Sequence, residues 1–277
     1  MSSKKKASSQ HKTKGSSSSS LSDQDDNETQ VIDIIKFPRT PHLFATNKDV
    51  SRDDLVLDER DVASSFYSVA QAPFITLEEK IDGSNLGISL DVESYKLRCQ
   101  NRSHYVTCQS HSQFKTLQSW LDEHSGELYA LLSANNNGYI LYGEWVYAKH
   151  SILYDKLPDT FIAFDIYDKH AEKFVSVQKR NQLLNLHAPT LCVIEQIPNN
   201  NGASLTKEYL MHLLNTYKSH YSSTDEPIEG VYIRIDEGDY LKKRAKVVRS
   251  DFIQAIDTHW STMELVKNRI DFSLKKY

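Results

Sequence analysis

Apolar positions along this chain change period several times, and each change marks an element. Short runs rich in β-branched and aromatic residues at 74–78, 86–91 and 95–101 predict three strands, with Gly83 turning the chain between the first two. Phe114, Leu117, Trp120, Leu121, Leu128 and Leu131 then recur at helical spacing, which predicts one or two helices across 112–133. Strand patterns return at 139–147, 161–167 and 191–196, and as a pair at 230–236 and 242–249. Helices are expected at 177–186 and 205–217. From Phe252, steps of three and four through Ile256, Trp260, Met263, Val266 and Ile270 predict an amphipathic helical tail. Dominant strands with irregularly inserted helices indicate an α+β fold of antiparallel sheets with flanking helices, not a βαβ repeat. No internal repeat is visible.

The ends of the pattern set the expected boundaries. Residues 1–30 hold ten serines and almost nothing apolar, with Lys4, Lys5, Lys6, Lys12 and Lys14 preceding Asp23, Asp25, Asp26 and Glu28. Such a segment buries too little surface to offset its chain entropy, so it is expected to be disordered. Its lysines suit a solubilising tail, an electrostatic tether or a nuclear-import signal. The folded domain is expected over 31–250, and a basic helical extension over 251–277. Phe37-Pro38-Arg39-Thr40-Pro41-His42-Leu43-Phe44 reads as a loop-like lead-in, since two prolines exclude regular helix.

Composition narrows the class. With 39% hydrophobic and 25% charged residues the chain is ordinary for a globular protein. No apolar run approaches the ~20 residues needed to span a membrane, and the basic, Ser-rich start lacks the apolar core of a signal peptide. Cys99, Cys108 and Cys192 lack metal-ligand spacing, so a reduced intracellular protein, nuclear or cytoplasmic, without structural zinc is expected. Net charge is −4, yet from Lys242 to Tyr277 nine Lys/Arg face four acids. A local basic face of that kind attracts phosphates; a solvated surface would look the same. The histidines show no H-E-x-x-H spacing and no G-x-x-x-x-G-K-[ST] loop exists. His42, His150 and His187 are expected to be satisfied loop or helix-end residues.

The chemistry-bearing segments come in a fixed order. Lys80-Ile81-Asp82-Gly83-Ser84-Asn85 sets an amine beside a tight turn, where it can attack phosphorus; alone it would equally describe a surface lysine. Gln100-Asn101-Arg102-Ser103, Leu141-Tyr142-Gly143-Glu144-Trp145 and Phe161-Ile162-Ala163-Phe164-Asp165-Ile166 follow. Glu229-Gly230-Val231-Tyr232-Ile233-Arg234 and Lys242-Lys243-Arg244-Ala245-Lys246-Val247-Val248-Arg249 close the series. Arg244 and Lys246 alternate along the last predicted strand and so share a face.

This ordered series resembles the covalent nucleotidyltransferases, which include ATP-dependent ligases and GTP-dependent capping enzymes. Within them it is most similar to the nick-sealing RNA ligases of the RNA ligase 2-like group, whose lysine motif ends in Asn, as here in Asn85. The residues after Lys246 are too few for the five-stranded OB-fold domain that DNA ligases and capping enzymes carry there. The resemblance implies an ATP-dependent RNA ligase joining 3′-hydroxyl and 5′-phosphate RNA ends through a lysyl-AMP and an adenylated RNA end, in RNA repair. A small DNA ligase, a capping-type guanylyltransferase and a non-catalytic RNA-binding relative are the alternatives.

The resemblance also assigns roles. Lys80 is the nucleophile, and Glu229 holds a hydrated Mg²⁺ or Mn²⁺. Lys246 and Arg244 meet the ATP phosphates, although the family more often has Lys where Arg244 stands. Glu144 lies near the ribose hydroxyls, Phe164 stacks on adenine, and Asn85 and Arg102 orient phosphates or the acceptor strand. Lys242, Lys243 and Arg249 add RNA contacts, while Asp82 positions the turn. A downstream clamp on the duplex would fall to the basic tail or to a protein partner, or the enzyme would stop at the adenylated intermediate. An ordinary lysine, with a pKa near ~10.4, is protonated at neutral pH, so the site is expected to depress that of Lys80.

Overall fold

Among the described residues the named strands all pair antiparallel and form two sheets. The computed structural model describes residues 34–45, 55–68, 75–199, 205–224, 227–249 and 264–276. These belong to one unit, Ile34–Tyr277. The Ser/Lys-rich segment 1–30 lies outside the described residues.

The elements run in the order α1 (Glu59–Ser65), β1 (Ile75–Lys80), β2 (Ser84–Asp91), β3 (Lys96–Gln100), β4 (Tyr105–Val106), α2 (Leu117–Glu123) and α3 (Ser125–Asn137). They continue β5 (Tyr139–Trp145), β6 (Phe161–Asp168), β7 (Lys173–Phe174), α4 (Val177–His187), β8 (Gln196–Ile197), α5 (Lys207–Thr216), β9 (Gly230–Glu237) and β10 (Tyr240–Val248). A four-stranded sheet has the order β10-β9-β1-β8, and a six-stranded sheet the order β4-β3-β2-β5-β6-β7. The α+β expectation therefore holds.

Alternation along the strands gives each sheet a helix-covered face. Leu86, Ile88, Leu90 and Leu141 of the six-stranded sheet pack with Leu117, Trp120, Leu128, Leu131 and Leu184 from α2, α3 and α4. Ile75, Leu77, Val231, Ile233, Ala245 and Val247 of the four-stranded sheet pack with Val62 and Phe66 of the α1 region and Leu210, Leu213 and Leu214 of α5. Fully burying such side chains stabilises by about 1.5–3 kcal/mol each.

Two departures from the sequence pattern matter for the site. Residues 191–196, expected as one strand, change partner midway. Cys192 O accepts from Ala163 N and Ile194 N donates to Ala163 O, both at 2.8 Å, before Glu195 O accepts from Glu79 N. The segment thereby passes from β6 to β1, and only Gln196–Ile197 remains a strand. The helical tail is the other departure. Its first part, 250–263, lies outside the described residues, while 264–276 runs extended to a single 3₁₀ turn at Phe272–Leu274. Outside that turn its main chain bonds to residues 147–157, as in Asn268 N to Tyr147 O at 3.1 Å.

Candidate active site

β1 belongs to one sheet and β2 to the other, so the three residues between them cross the gap where the cleft opens. Lys80 is the last residue of β1 and Ser84 the first of β2. Gly83 permits the crossing, because a Cβ there would lie 2.8 Å from Trp145 O and 2.9 Å from Glu144 Cγ. Asp82 holds the turn from both sides. Its Oδ2 accepts from Ser151 N at 2.6 Å and Ile152 N at 3.2 Å, and its own N–H donates to Tyr154 Oη at 2.9 Å.

Strand register brings the other residues to the same place. Lys80 pairs with Gly230, which puts Glu229 beside it, and Glu144 pairs with Asn85. Gly230 is needed for close packing, since a Cβ would meet Val247 O at 2.5 Å. The cleft, about 730 Å³, is lined by Lys80, Asn85, Arg102, Glu144, Phe164 and Lys246 among others. Lys80 Nζ donates to Glu229 Oε1 at 2.6 Å.

The lysine sits among carboxylates. Burial alone would lower its pKa, but Glu229, Glu144 and Asp82 outweigh burial and hold it above the ordinary value. This is opposite to the depression expected from the sequence, since the chain's own carboxylates favour the ammonium. Burial pushes Glu144 up to about 8, against the pull of Lys80 and with Glu229 adding to the rise. Burial also raises Glu229, while Lys80 and Lys246 oppose it. Glu79, bonded by Ser219 Oγ and His220 N, is pushed by burial to about 7.

Two buried oxygens in this setting have no hydrogen-bond partner, Glu229 Oε2 and Asn85 Oδ1. Among the described residues no three His, Cys, Asp or Glu side chains form a ready-made metal site. An orphaned carboxylate oxygen nevertheless fits a hydrated divalent cation, which completes its shell with waters and phosphate oxygens.

The two phenylalanines of β6 separate cleanly. Phe161 is buried in the core against Trp120, whereas Phe164 lines the cleft and packs edge-on against Phe37 at 5.2 Å. Three positions apart on a strand, they point to opposite faces by alternation. A β-bulge lies at Phe164: Tyr142 pairs with Asp165 and Gly143 with Ala163, leaving Phe164 as the extra residue with its carbonyl free of the ladder. Arg180 Nη1 donates to that carbonyl at 2.6 Å.

Other sequence candidates are placed elsewhere. Arg244 shares a strand face with Lys246, but its guanidinium lies 4.0 Å from the Phe174 ring centroid and 4.7 Å from that of Phe37. It also donates to Asp165 Oδ2 at 3.2 Å, and it does not line the cleft. Lys242 bonds Glu237, Lys243 bonds Ser65, and Arg249 bonds Pro227 O; none of the three lines the cleft.

Sequence patterns missed the contribution of the Pro-containing lead-in. Leu43 N donates to Lys246 O and Lys246 N to Pro41 O, so this segment follows β10 and delivers Phe37, Arg39 and Thr40 to the cleft. Thr40 Oγ1 is bonded to Tyr232 Oη. Gln113 was also missed, and its Oε1 joins Ser84 Oγ at 2.8 Å and His150 Nε2 at 3.2 Å. The lead-in's two prolines marked a loop but not its partner strand, and Gln113 carried no signal at all.

Two antiparallel sheets meeting at a lysine turn, with acidic and basic side chains drawn from separate strands, define a nucleotidyltransferase domain. The family model for RNA ligases matches residues 73–248, and the chain belongs to that family. Among solved structures it is similar to a Naegleria gruberi RNA ligase with pyrophosphate, at 16% identity and TM-score 0.50, covering 78% of this chain and 61% of that one. A lysine-to-alanine variant of that ligase with ATP and manganese gives 14% identity and TM-score 0.49, covering 79% and 62%. The chain thus spans less than two thirds of the length of these ligases. No curated protein matches at the sequence level.

Proposed function

We propose that this protein is an ATP-dependent RNA ligase joining 3′-hydroxyl and 5′-phosphate RNA ends, with RNA repair as its role. The observation that carries the reading is the Lys80–Glu229 contact, in a cleft also lined by Phe164, Glu144 and Lys246. In the first step Lys80 Nζ bonds to the α-phosphorus of ATP, the bond to pyrophosphate breaks, and the amine loses its proton. Glu229 Oε1, 2.6 Å away, is within reach to accept it. Phe164 offers its ring to the adenine and Lys246 its charge to the α-phosphate.

AMP then passes from Lys80 to the 5′-phosphate of an RNA strand. The 3′-hydroxyl of a second strand displaces AMP and forms the phosphodiester. Glu229 would hold a divalent cation, Mg²⁺ or Mn²⁺, which when bound supplies positive charge to the phosphates. Its charge would also oppose Glu229, Glu144 and Asp82, the carboxylates that keep the Lys80 amine protonated.

The test is incubation with a divalent cation and ATP labelled at the α-phosphate, with Lys80→Ala as control. A denaturation-resistant AMP adduct absent from the variant is expected. Labelling by GTP and not by ATP would indicate a capping-type enzyme, and sealing only at a 3′-terminal deoxyribose a DNA ligase. No adduct from folded protein that is not already adenylated would leave a nucleotide-binding relative.

A further inference from the structure

The segment 264–276 touches none of the cleft, yet one of its side chains is wired to the residue that holds the lysine turn. Asn268 Nδ2 donates to Val146 O at 2.9 Å and to Ala148 O at 3.2 Å, and Asn268 Oδ1 accepts from Tyr154 N at 2.9 Å. One amide thereby closes the loop that follows β5, gripping both ends of 146–154. The backbone reinforces the grip: Lys149 N donates to Val266 O at 2.8 Å and Arg269 N to Tyr154 O at 2.9 Å.

The same loop supplies every partner of Asp82 described above. Tyr154, fully buried, accepts from Asp82 N, while Ser151 N and Ile152 N donate to its carboxylate. Asp82 lies two residues from Lys80. We propose that Asn268 is a positioning residue for the nucleotidyl-transfer step, setting the Lys80 turn through the 146–154 loop, Tyr154 and Asp82. Loops left to themselves are mobile, and a second layer of hydrogen bonds is what holds a reacting group within a fraction of an ångström. The extended course of 264–276 has this purpose: a helix there would keep its main-chain groups for itself.

This inference rests on the ligase reading, and the reaction sequence allows the two to be tested apart. Sealing of a pre-adenylated RNA strand skips the attack by Lys80, because the 3′-hydroxyl displaces AMP already on the RNA. Wild-type protein is first assayed for the lysyl-AMP adduct and for sealing of a pre-adenylated nick; failure of both removes the ligase reading, whatever Asn268 does. Asn268→Ala is expected to slow adduct formation about 10²-fold, the scale of a small misplacement of a reacting group, while sealing stays within about threefold of wild type.

Tyr154→Phe removes only the oxygen that accepts from Asp82 N and keeps the ring packing. It is expected to give the same split, and the double variant is expected to be no worse than either single one, as for two parts of one path. Adduct formation at the wild-type rate in either variant overturns the proposal. So does an equal fall in both steps that tracks a lowered melting temperature. If Asn268→Ala does not fold, Tyr154→Phe decides alone by the same criterion.

Discussion

Two clusters of buried charge share β1, and they are built on opposite balances. Glu78 belongs to the first, where Arg180 Nη1 lies 2.8 Å from its carboxylate. Arg234 joins Asp165 at 3.1 Å and Asp236 at 3.9 Å, and Arg244 joins Asp165 at 3.2 Å. Three cations meet three carboxylates there, and Arg180, Arg234 and Asp165 are all but inaccessible. Lys80, two residues on, faces Glu229, Glu144 and Asp82, and Glu79 interacts with Glu229; Arg102 acts on Glu144 and Lys246 on Glu229. That cluster lines the cleft with Lys80, Glu79, Glu144 and Lys246, and its carboxylates outnumber its cations. A balanced buried cluster supports the fold; an unbalanced one at a cleft marks a place where a ligand supplies what is missing.

The largest expected effect would break the comparison at its centre. Lys80→Ala is expected to abolish the AMP adduct outright and to leave the urea midpoint close to wild type; a stable adduct in this variant would remove Lys80 as nucleophile. Arg234→Ala should do the reverse. Removing this buried cation takes away the partner of Asp236 and leaves Asp165 with Arg244 alone, at a cost of about 3–5 kcal/mol read from urea unfolding. A variant as stable as the parent would show that the arginine cluster does not hold the sheets.

A finer test uses the β6 pair. Phe161→Ala should lose about 3–5 kcal/mol of stability as a core truncation. Phe164→Ala should instead weaken ATP binding by about 1–3 kcal/mol, the scale of one base–aromatic stack. Equal stability losses with unchanged nucleotide binding would place both rings in the core. The smallest effect concerns Glu79, whose pKa is raised to about 7 by burial. A carboxyl raised in the folded state stabilises it while protonated, below pH 4.5, and loses that contribution as pH rises through 7. Wild-type stability should therefore decline over that window by on the order of 1–3 kcal/mol, and Glu79→Gln should flatten the decline. Parallel pH–stability curves for the two proteins would show that Glu79 ionises normally.

The strands, the α+β class and the core faces of the helices were legible because they rest on periodicity, a local property. So were Lys80, Glu144, Glu229 and Lys246 as chemically apt residues in a recognisable order. Which of the aligned residues reach the cleft was not legible. Arg244 and Lys246 share a face by alternation, yet the rings of Phe37 and Phe174 take Arg244 away. Phe161 and Phe164 fall on opposite faces by alternation, but which face lines the cleft is set by the pairing and packing of β6 with distant segments. Val266 and Ile270 carried a helical period, but hydrogen bonds to the 147–157 loop drew the chain out straight. By itself the sequence determined the elements and the inventory of reactive groups, because those follow from local spacing and side-chain chemistry. Only the tertiary structure decided their protonation, their partners and their aim, because charge balance, burial and register arise between segments far apart along the chain.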